Sequence, residues 1–282
     1  LASRMEPTLD LFADAILRPR LAAEDFASER DLAAARIRAR DEDPSLTAAV
    51  VSGIRLFGRD DPRGRPSGGY AGTVAALKQV DAAGALPQLL DPARATFVFV
   101  GDVTPGGIVR ALDARLGAWK AAGSKPGPSP QPLTRLAGGG VLLVHRPGAP
   151  QTLLTMVRPV ASPGETQRAV REAVRTLFGG AFTSRLNQNI REKHGFSYGA
   201  HCRLREDGPQ WVMAASSSVQ TAVTAAALTE FKREFDVLAR GDITADELDK
   251  AVRTVRFALE TRGETTGALA SLVTSVVSNG QP

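Results

Sequence analysis

Residues 187–201 read NQNIREKHGFSYGAH. Leu186 and Ile190, four apart, mark the apolar stripe of a short helix over TSRLNQNIREKHG. Gly195 is the residue type that ends a helix in a left-handed turn. The period then changes. In FSYGAHCRL, residues 196–204, Phe196, Ala200, Cys202 and Leu204 alternate as on a strand. The stretch is a helix–turn–strand corner, and two side chains on it carry useful chemistry. Arg191 offers a planar fork of donors and Tyr198 a hydroxyl, and both suit a peptide carbonyl or a developing oxyanion. On the strand Tyr198 shares the face of Phe196 and Ala200, so a core tyrosine with its hydroxyl bonded is the plain alternative.

Downstream, WVMAASS (211–217) reads as a strand and roughly 219–240 as a long helix stopped by Gly241. Thr244 and Glu247 form a capping box that opens a helix to about Arg262. Upstream, GVLLVH (140–145) and QTLLTMVRP (151–159) read as strands. Ser162, Pro163 and Glu165 begin a helix that reaches about Phe178, closed by Gly179 and Gly180. Further back, GSKPGPSPQP (123–132) has proline at every second position from Pro126 to Pro132, an extended linker composition that marks a domain boundary. Before it, Leu9, Phe12 and Ile16 recur at helical spacing up to the breaker Pro19, and 23–41 suits a long helix. Thr73 caps a helix towards Gly84, and ATFVFVGD (95–102) reads as a buried strand. Thr104 and Pro105 open a helix striped by Ile108, Leu112 and Leu116. Strands and helices mix without strict alternation, so the fold class is α+β, antiparallel-rich sheets backed by helices.

Composition narrows the function. The 282 residues suffice for two ordinary domains, and 43 % apolar with 23 % charged residues is a globular balance. The net charge is +5, but 35 basic and 30 acidic residues are interspersed without a Lys/Arg run or a basic aromatic strand, so nucleic acid is not the expected partner. No apolar run has the length of a membrane span, and no signal peptide is visible. The chain opens on Leu1 rather than Met and stops at SNGQP, so it is expected to be an internal fragment.

Other chemistry is absent from the pattern. His145, His194 and His201 form no H-x-x-E-H, H-E-x-x-H or H-x-H cluster, and His194 and His201 are parted by the Gly195 turn. No G-x-S-x-G elbow exists, and neither Gly68-Gly69 nor Gly179-Gly180 is followed by G-K-[ST]. Cys202, the single cysteine, is expected buried and inert in its strand.

GGAFTSRLNQNIREKHGFSYGAHCRL, residues 179–204, resembles the second-domain signature of the insulinase/pitrilysin family of zinc metallopeptidases, the inverzincins. The resemblance runs through the chain in order. ERDLAAARIRARDEDP (29–44) is similar to the long zinc-side helix of the first domain. GRDDPRGRPSGGYAGTVAAL (58–77) resembles the family's H-P-x-G-R-P-x-x-G-T loop and helix. FVFVGDVTP (97–105) resembles its strand before a helix, and GDITADELDKAVRTVRFAL its late helix pair.

The resemblance implies two similar domains, both truncated. Residues 1–122 would be the C-terminal part of the first, 123–136 a Pro/Gly-rich linker, and 137–282 the second without its end. In catalytic members two glutamates seven apart lie on the long helix, a supporting residue and then a zinc ligand. Here the first matches Glu29, and the second falls on Arg36. A guanidinium has no lone pair to donate to a metal. No cofactor is therefore expected in this chain, and zinc is expected in a homologous catalytic partner. Arg191 and Tyr198 match the family's substrate-holding pair. The implied protein is the non-catalytic, peptide-binding subunit of a heterodimeric bacterial zinc metallopeptidase, lacking its own zinc site. A structural scaffold of the same fold, and a complete peptidase whose metal segment lies outside this chain, are the alternatives. Family habit places the protein in the periplasm, otherwise in the cytoplasm.

Overall fold

The computed structural model describes residues 2–121, 123, 139–160, 165–207 and 210–278. The chain forms two compact units: Leu1–Ile37, Tyr70–Pro128 and Leu259–Pro282 make one, and Arg38–Gly69 with Ser129–Ala258 make the other. Most of the proline-rich segment 123–136, and Ser162 and Pro163 of the expected helix start, lie outside the described residues.

The first unit is helical. Helix α1 (Met5–Leu17) and helix α6 (Pro105–Leu116) bury Leu9, Ala13, Ile108 and Ala111. Arg115 of α6 ties the two helices together through Glu6 and Asp10, each at 2.6 Å. Thr104 caps α6 by accepting from the Gly107 N–H at 3.2 Å, with Pro105 at the first helical position, as the sequence predicts. Helix α2 (Ala23–Glu42) is also as expected.

Two expectations fail here. The helix from Thr73 to Gly84 is split into α4 (Ala71–Ala75) and α5 (Gln79–Leu89). Thr73 lies inside α4, where its hydroxyl serves the backbone of Tyr70, and Asp81 caps a new start by accepting from the Lys78 N–H at 2.8 Å. Residues 95–102 form no strand, and Phe97 and Phe99 stay partly exposed. An apolar run becomes a buried strand only when a neighbour completes its ladder, and none does so among the described residues. Phe97 instead meets the rings of Phe12 at 6.0 Å and Trp119 at 6.5 Å.

The second unit holds the sheet. Strands β1 (Gln151–Val160), β2 (Ala200–Asp207) and β3 (Gln210–Gln220) form an antiparallel sheet in the order β1-β3-β2. Residues 140–145, expected as a further strand, carry no ladder, and Val141 to Val144 are exposed. The register pairs Cys202 and Met156 with Ala215, and Ala200 and Leu154 with Ser217. Ala200, Cys202, Ala215 and Val219 therefore share one covered face, on which Phe178, Leu186, Ile190 and Phe231 are wholly buried. Burying four such side chains contributes about 2 kcal/mol each, and this cluster is the core on which the unit rests. Helix α3 (Pro44–Phe57), capped by Asp43, packs against β1.

Helix α7 (Glu165–Arg175) continues as a π-helical turn, Thr176–Gly180, and a second π-helical segment covers Asn187–Lys193. Helix α8 (Thr224–Ala239) and helix α9 (Ala245–Glu260) follow the sheet, and helix α10 (Thr266–Ser278) belongs to the first unit. Gly179 explains how closely the first π turn approaches the sheet. A Cβ there would lie 2.6 Å from both the Cβ and the backbone nitrogen of Cys202. The α+β class, with an antiparallel sheet backed by helices, is what the sequence predicts.

Candidate peptide-holding site

The second π segment, a tight turn before it and a loop after it build the site. His194 N–H bonds the Asn189 carbonyl five residues back at 3.1 Å, and Gly195 N–H bonds that of Arg191 at 3.0 Å. Phe196 N–H reaches the Ile190 carbonyl at 2.9 Å. This is a helix end of Schellman type, widened by a residue, with Gly195 at φ 63°. Arg191 sits on the last turn before it and Tyr198 on the loop after it.

That loop corrects the expected strand. The ladder begins at Ala200, not Phe196, so Tyr198 is no core residue and is 95 % exposed. The Ser197 hydroxyl lies 2.8 Å from the Gly199 N–H and 2.7 Å from its carbonyl, turning the chain before it joins the sheet. Ser217 of β3 braces the turn, with its hydroxyl 2.7 Å from that of Ser197 and 2.8 Å from the Gly199 carbonyl. The phenol is carried outward on a braced loop.

Arg191 is held differently. Its Cζ lies 4.2 Å above the ring centre of Phe182, and its side chain is 33 % exposed. Its Nη1 is buried without a hydrogen-bond partner, and the Glu192 carboxylate is 3.5 Å from Nε, longer than a strong charged hydrogen bond.

One buried side chain links these pieces. Asn187, 3 % exposed, accepts from the Ala200 N–H at 2.9 Å, fixing the strand start just after Tyr198. Its amide donates to the Ala181 carbonyl at 3.2 Å, holding the turn that carries Phe182. Ser184 N–H closes the same turn on Ala181 at 3.0 Å. Asn187 and Arg191 share the π segment, so one amide joins the supports of Arg191, Phe182 and Tyr198. Sequence reasoning proposed Arg191 and Tyr198 and did not point to Asn187 or Phe182, which the structure places in contact with the same elements. The only local signal was an aromatic following Gly179-Gly180-Ala181 in a predicted turn.

The histidines stand apart from this chemistry. His194 stacks on Phe196 with ring centres 4.9 Å apart, and its Nε2 lies 3.6 Å from the Glu230 carboxylate. Its side chain is half-buried. Asn189 donates to the same carboxylate at 2.9 Å, and this bond, with the nearby His194 and Arg233, holds the Glu230 carboxyl below its ordinary range. His201 and His145 are exposed. Cys202 is buried, and burial pushes its thiol up to about 11, so it is protonated and inert at neutral pH. Among the described residues no group of three or more His, Cys, Asp or Glu side chains gathers as a metal site.

Glu29 and Arg36 are both exposed on α2, nearly two turns apart and so on one side of the helix. A carboxylate beside a guanidinium does not fit zinc, because Arg36 offers positive charge and no lone pair.

A separate cleft of about 700 Å³ opens between the π segments, α8 and α9, lined by Thr183, Arg185, Lys193, Arg233, Glu247 and Lys250 among others. Arg191 and Tyr198 are not part of it. Arg185 grips Glu247 through Nε at 2.5 Å and Nη2 at 2.6 Å, and also meets the Asp242 carbonyl. That fork and the Thr244 cap hold the Glu247 carboxyl at about 2.

The class to which this helix-backed antiparallel sheet belongs is given by its relatives. Residues 85–255 match the family described as the peptidase M16 inactive domain. The chain belongs to the M16 peptidases, the insulinase/pitrilysin family that its motifs resemble. An uncharacterized zinc protease of Mycobacterium tuberculosis is 30 % identical over 253 residues, covering 90 % of this chain and 55 % of that protein. One of Streptomyces coelicolor is 25 % identical over 268 residues, covering 93 % and 57 %. The chain thus spans little more than half the length of these curated relatives.

Among solved structures, a protease from Helicobacter pylori superposes with a TM-score of 0.88 at 19 % identity, over 98 % of this chain and 67 % of that one. A peptidase M16 inactive domain from Pseudomonas fluorescens does so at 0.75 and 16 %, over 97 % and 64 %. These likenesses bear on the fold. Among the described residues no helix is long and apolar enough to cross a membrane.

Proposed function

We propose that this chain is the substrate-holding, non-catalytic subunit of a heterodimeric zinc metallopeptidase that degrades peptides. The observation that carries this reading is the display of Arg191 and Tyr198. The phenol stands free on a braced loop, and the guanidinium has no strong anionic partner to occupy its outward donors. Both groups donate to a peptide carbonyl, and a donor that meets the tetrahedral oxyanion stabilises charge where it develops.

Arg36 supports the second half of the reading. The helix that would present a zinc ligand presents a cation instead, so the metal belongs to a homologous partner, and this chain's part is to bind and orient. The periplasm is the proposed compartment. The test is zinc analysis of the full-length gene product, purified alone and with its zinc-bearing homologue. The reading predicts metal only with the homologue. Stoichiometric zinc in the product alone overturns it in favour of a complete peptidase, and failure to form any complex with the homologue overturns the heterodimer.

A further inference from the structure

We propose that Phe182 is a positioning residue of the peptide site: its ring is the shelf on which the Arg191 guanidinium rests, with no carboxylate gripping its Nη groups. This rests on the reading of Arg191 as a substrate donor.

The geometry explains why a ring serves here better than a carboxylate. An acidic partner holds a guanidinium through its N–H groups and so occupies them. An aromatic face holds it through the ring quadrupole, from below, and takes none of the in-plane donors. Arg191 has the second arrangement, with Cζ 4.2 Å above the ring and the nearest carboxylate oxygen at 3.5 Å.

Phe182 is 68 % exposed, so core packing does not account for it. Its backbone is nonetheless held in a closed turn. Its turn is closed by the Ser184-to-Ala181 bond and tied to Asn187, which is itself bonded to the start of β2. An arginine free in solvent loses rotamer freedom when it grips a ligand. One already laid against a ring has lost part of that freedom before substrate arrives.

The experiment titrates the whole chain with a fluorescein-labelled, uncharged, unstructured peptide and reads anisotropy. The variants are Phe182→Leu, Phe182→Trp, Arg191→Ala and the Phe182→Leu/Arg191→Ala pair. Phe182→Leu keeps an apolar side chain and removes the ring face. It is expected to weaken binding about two- to five-fold, the span of an exposed cation–π contact. Phe182→Trp is expected to retain binding. In the Arg191→Ala background, Phe182→Leu is expected to have no further effect, because a residue that acts through Arg191 has nothing left to position.

Three results overturn the proposal. Phe182→Leu binds as tightly as the parent while Arg191→Ala is weakened; Phe182→Trp loses binding; or Phe182→Leu weakens both backgrounds equally, which makes the ring an apolar wall touching the peptide. Absence of binding by the parent chain, or no loss with Arg191→Ala, instead overturns the reading of Arg191 itself.

Discussion

Asn187→Ala is the substitution that separates a built site from two residues that happen to lie near one turn. Ala200 is wholly buried, and its N–H has the Asn187 oxygen as partner at 2.9 Å. Truncation strands that donor away from water, which costs about 1–3 kcal/mol. The bond to the Ala181 carbonyl at 3.2 Å is lost as well, adding about 1 kcal/mol. The sum, about 2–4 kcal/mol, lowers the melting temperature of a domain of this size by about 5–15 °C. Circular dichroism at neutral pH measures it.

Asn187→Asp sharpens the test. It keeps an acceptor for Ala200 but sets a buried carboxylate against the Ala181 carbonyl. Burial raises the folded-state pKa of the introduced acid above its unfolded value. Its protonated form is then the one compatible with the fold, so stability is retained at low pH and lost as pH rises through the raised pKa. The variant is expected to melt well below the parent at pH 8 and to approach it only below about pH 4, where the unfolded chain also takes up the proton. An Asn187→Ala protein within about 0.5 kcal/mol of the parent would refute the reasoning, because it would show that neither bond bears on the fold.

Two further outcomes follow from the same unit. Glu247→Gln is expected to cost about 1–2 kcal/mol at pH 7, since it breaks the fork to Arg185. The Glu247 carboxyl is held at about 2, so its contribution is complete above the ordinary carboxylate range and fades as pH falls towards 2. Urea unfolding should therefore show the gap between variant and parent narrowing from pH 7 to pH 3, and a gap independent of pH would contradict this. Gly179→Ala is expected to destabilise by about 1–3 kcal/mol, because the added methyl meets the Cys202 backbone nitrogen, which cannot swing aside. Unchanged unfolding would mean that the π turn is free to move off the sheet.

Most helix boundaries were legible because their signals are local. Thr104 with Pro105, and Thr244 with Glu247, sit within one turn of the groups they cap. Strands β1 and β3 were legible as runs of strand-favouring residues. The runs at 95–102 and 140–145 were misread for one physical reason. Apolar β-branched residues favour an extended chain, but a strand exists only with a neighbour, and pairing is not written in the run itself. The split at Lys78 was missed because Asp81 competes locally for the backbone, which composition does not weigh.

In the candidate site, residue type marked Arg191 and Tyr198 as possible donors, and the resemblance to the family's pair singled them out. The outward turn of Tyr198 was not, because it depends on Ser197 meeting Ser217, twenty residues further on. Asn187 and Phe182 were illegible for the same reason, since their roles arise from contacts across turns.

The most direct measurement is steady-state hydrolysis of an unstructured peptide by the proposed pair, the full-length product reconstituted with a zinc-bearing homologue, comparing the parent with Arg191→Ala and Tyr198→Phe. Each variant removes donors from exposed or half-exposed side chains and is expected to fold normally and to assemble with the homologue. Each is predicted to lower kcat/KM at least about ten-fold, the loss of one hydrogen bond to a charged or charge-developing oxygen. Parent-like turnover in both variants, within native complexes, would contradict the claim that this chain holds the peptide through these two residues.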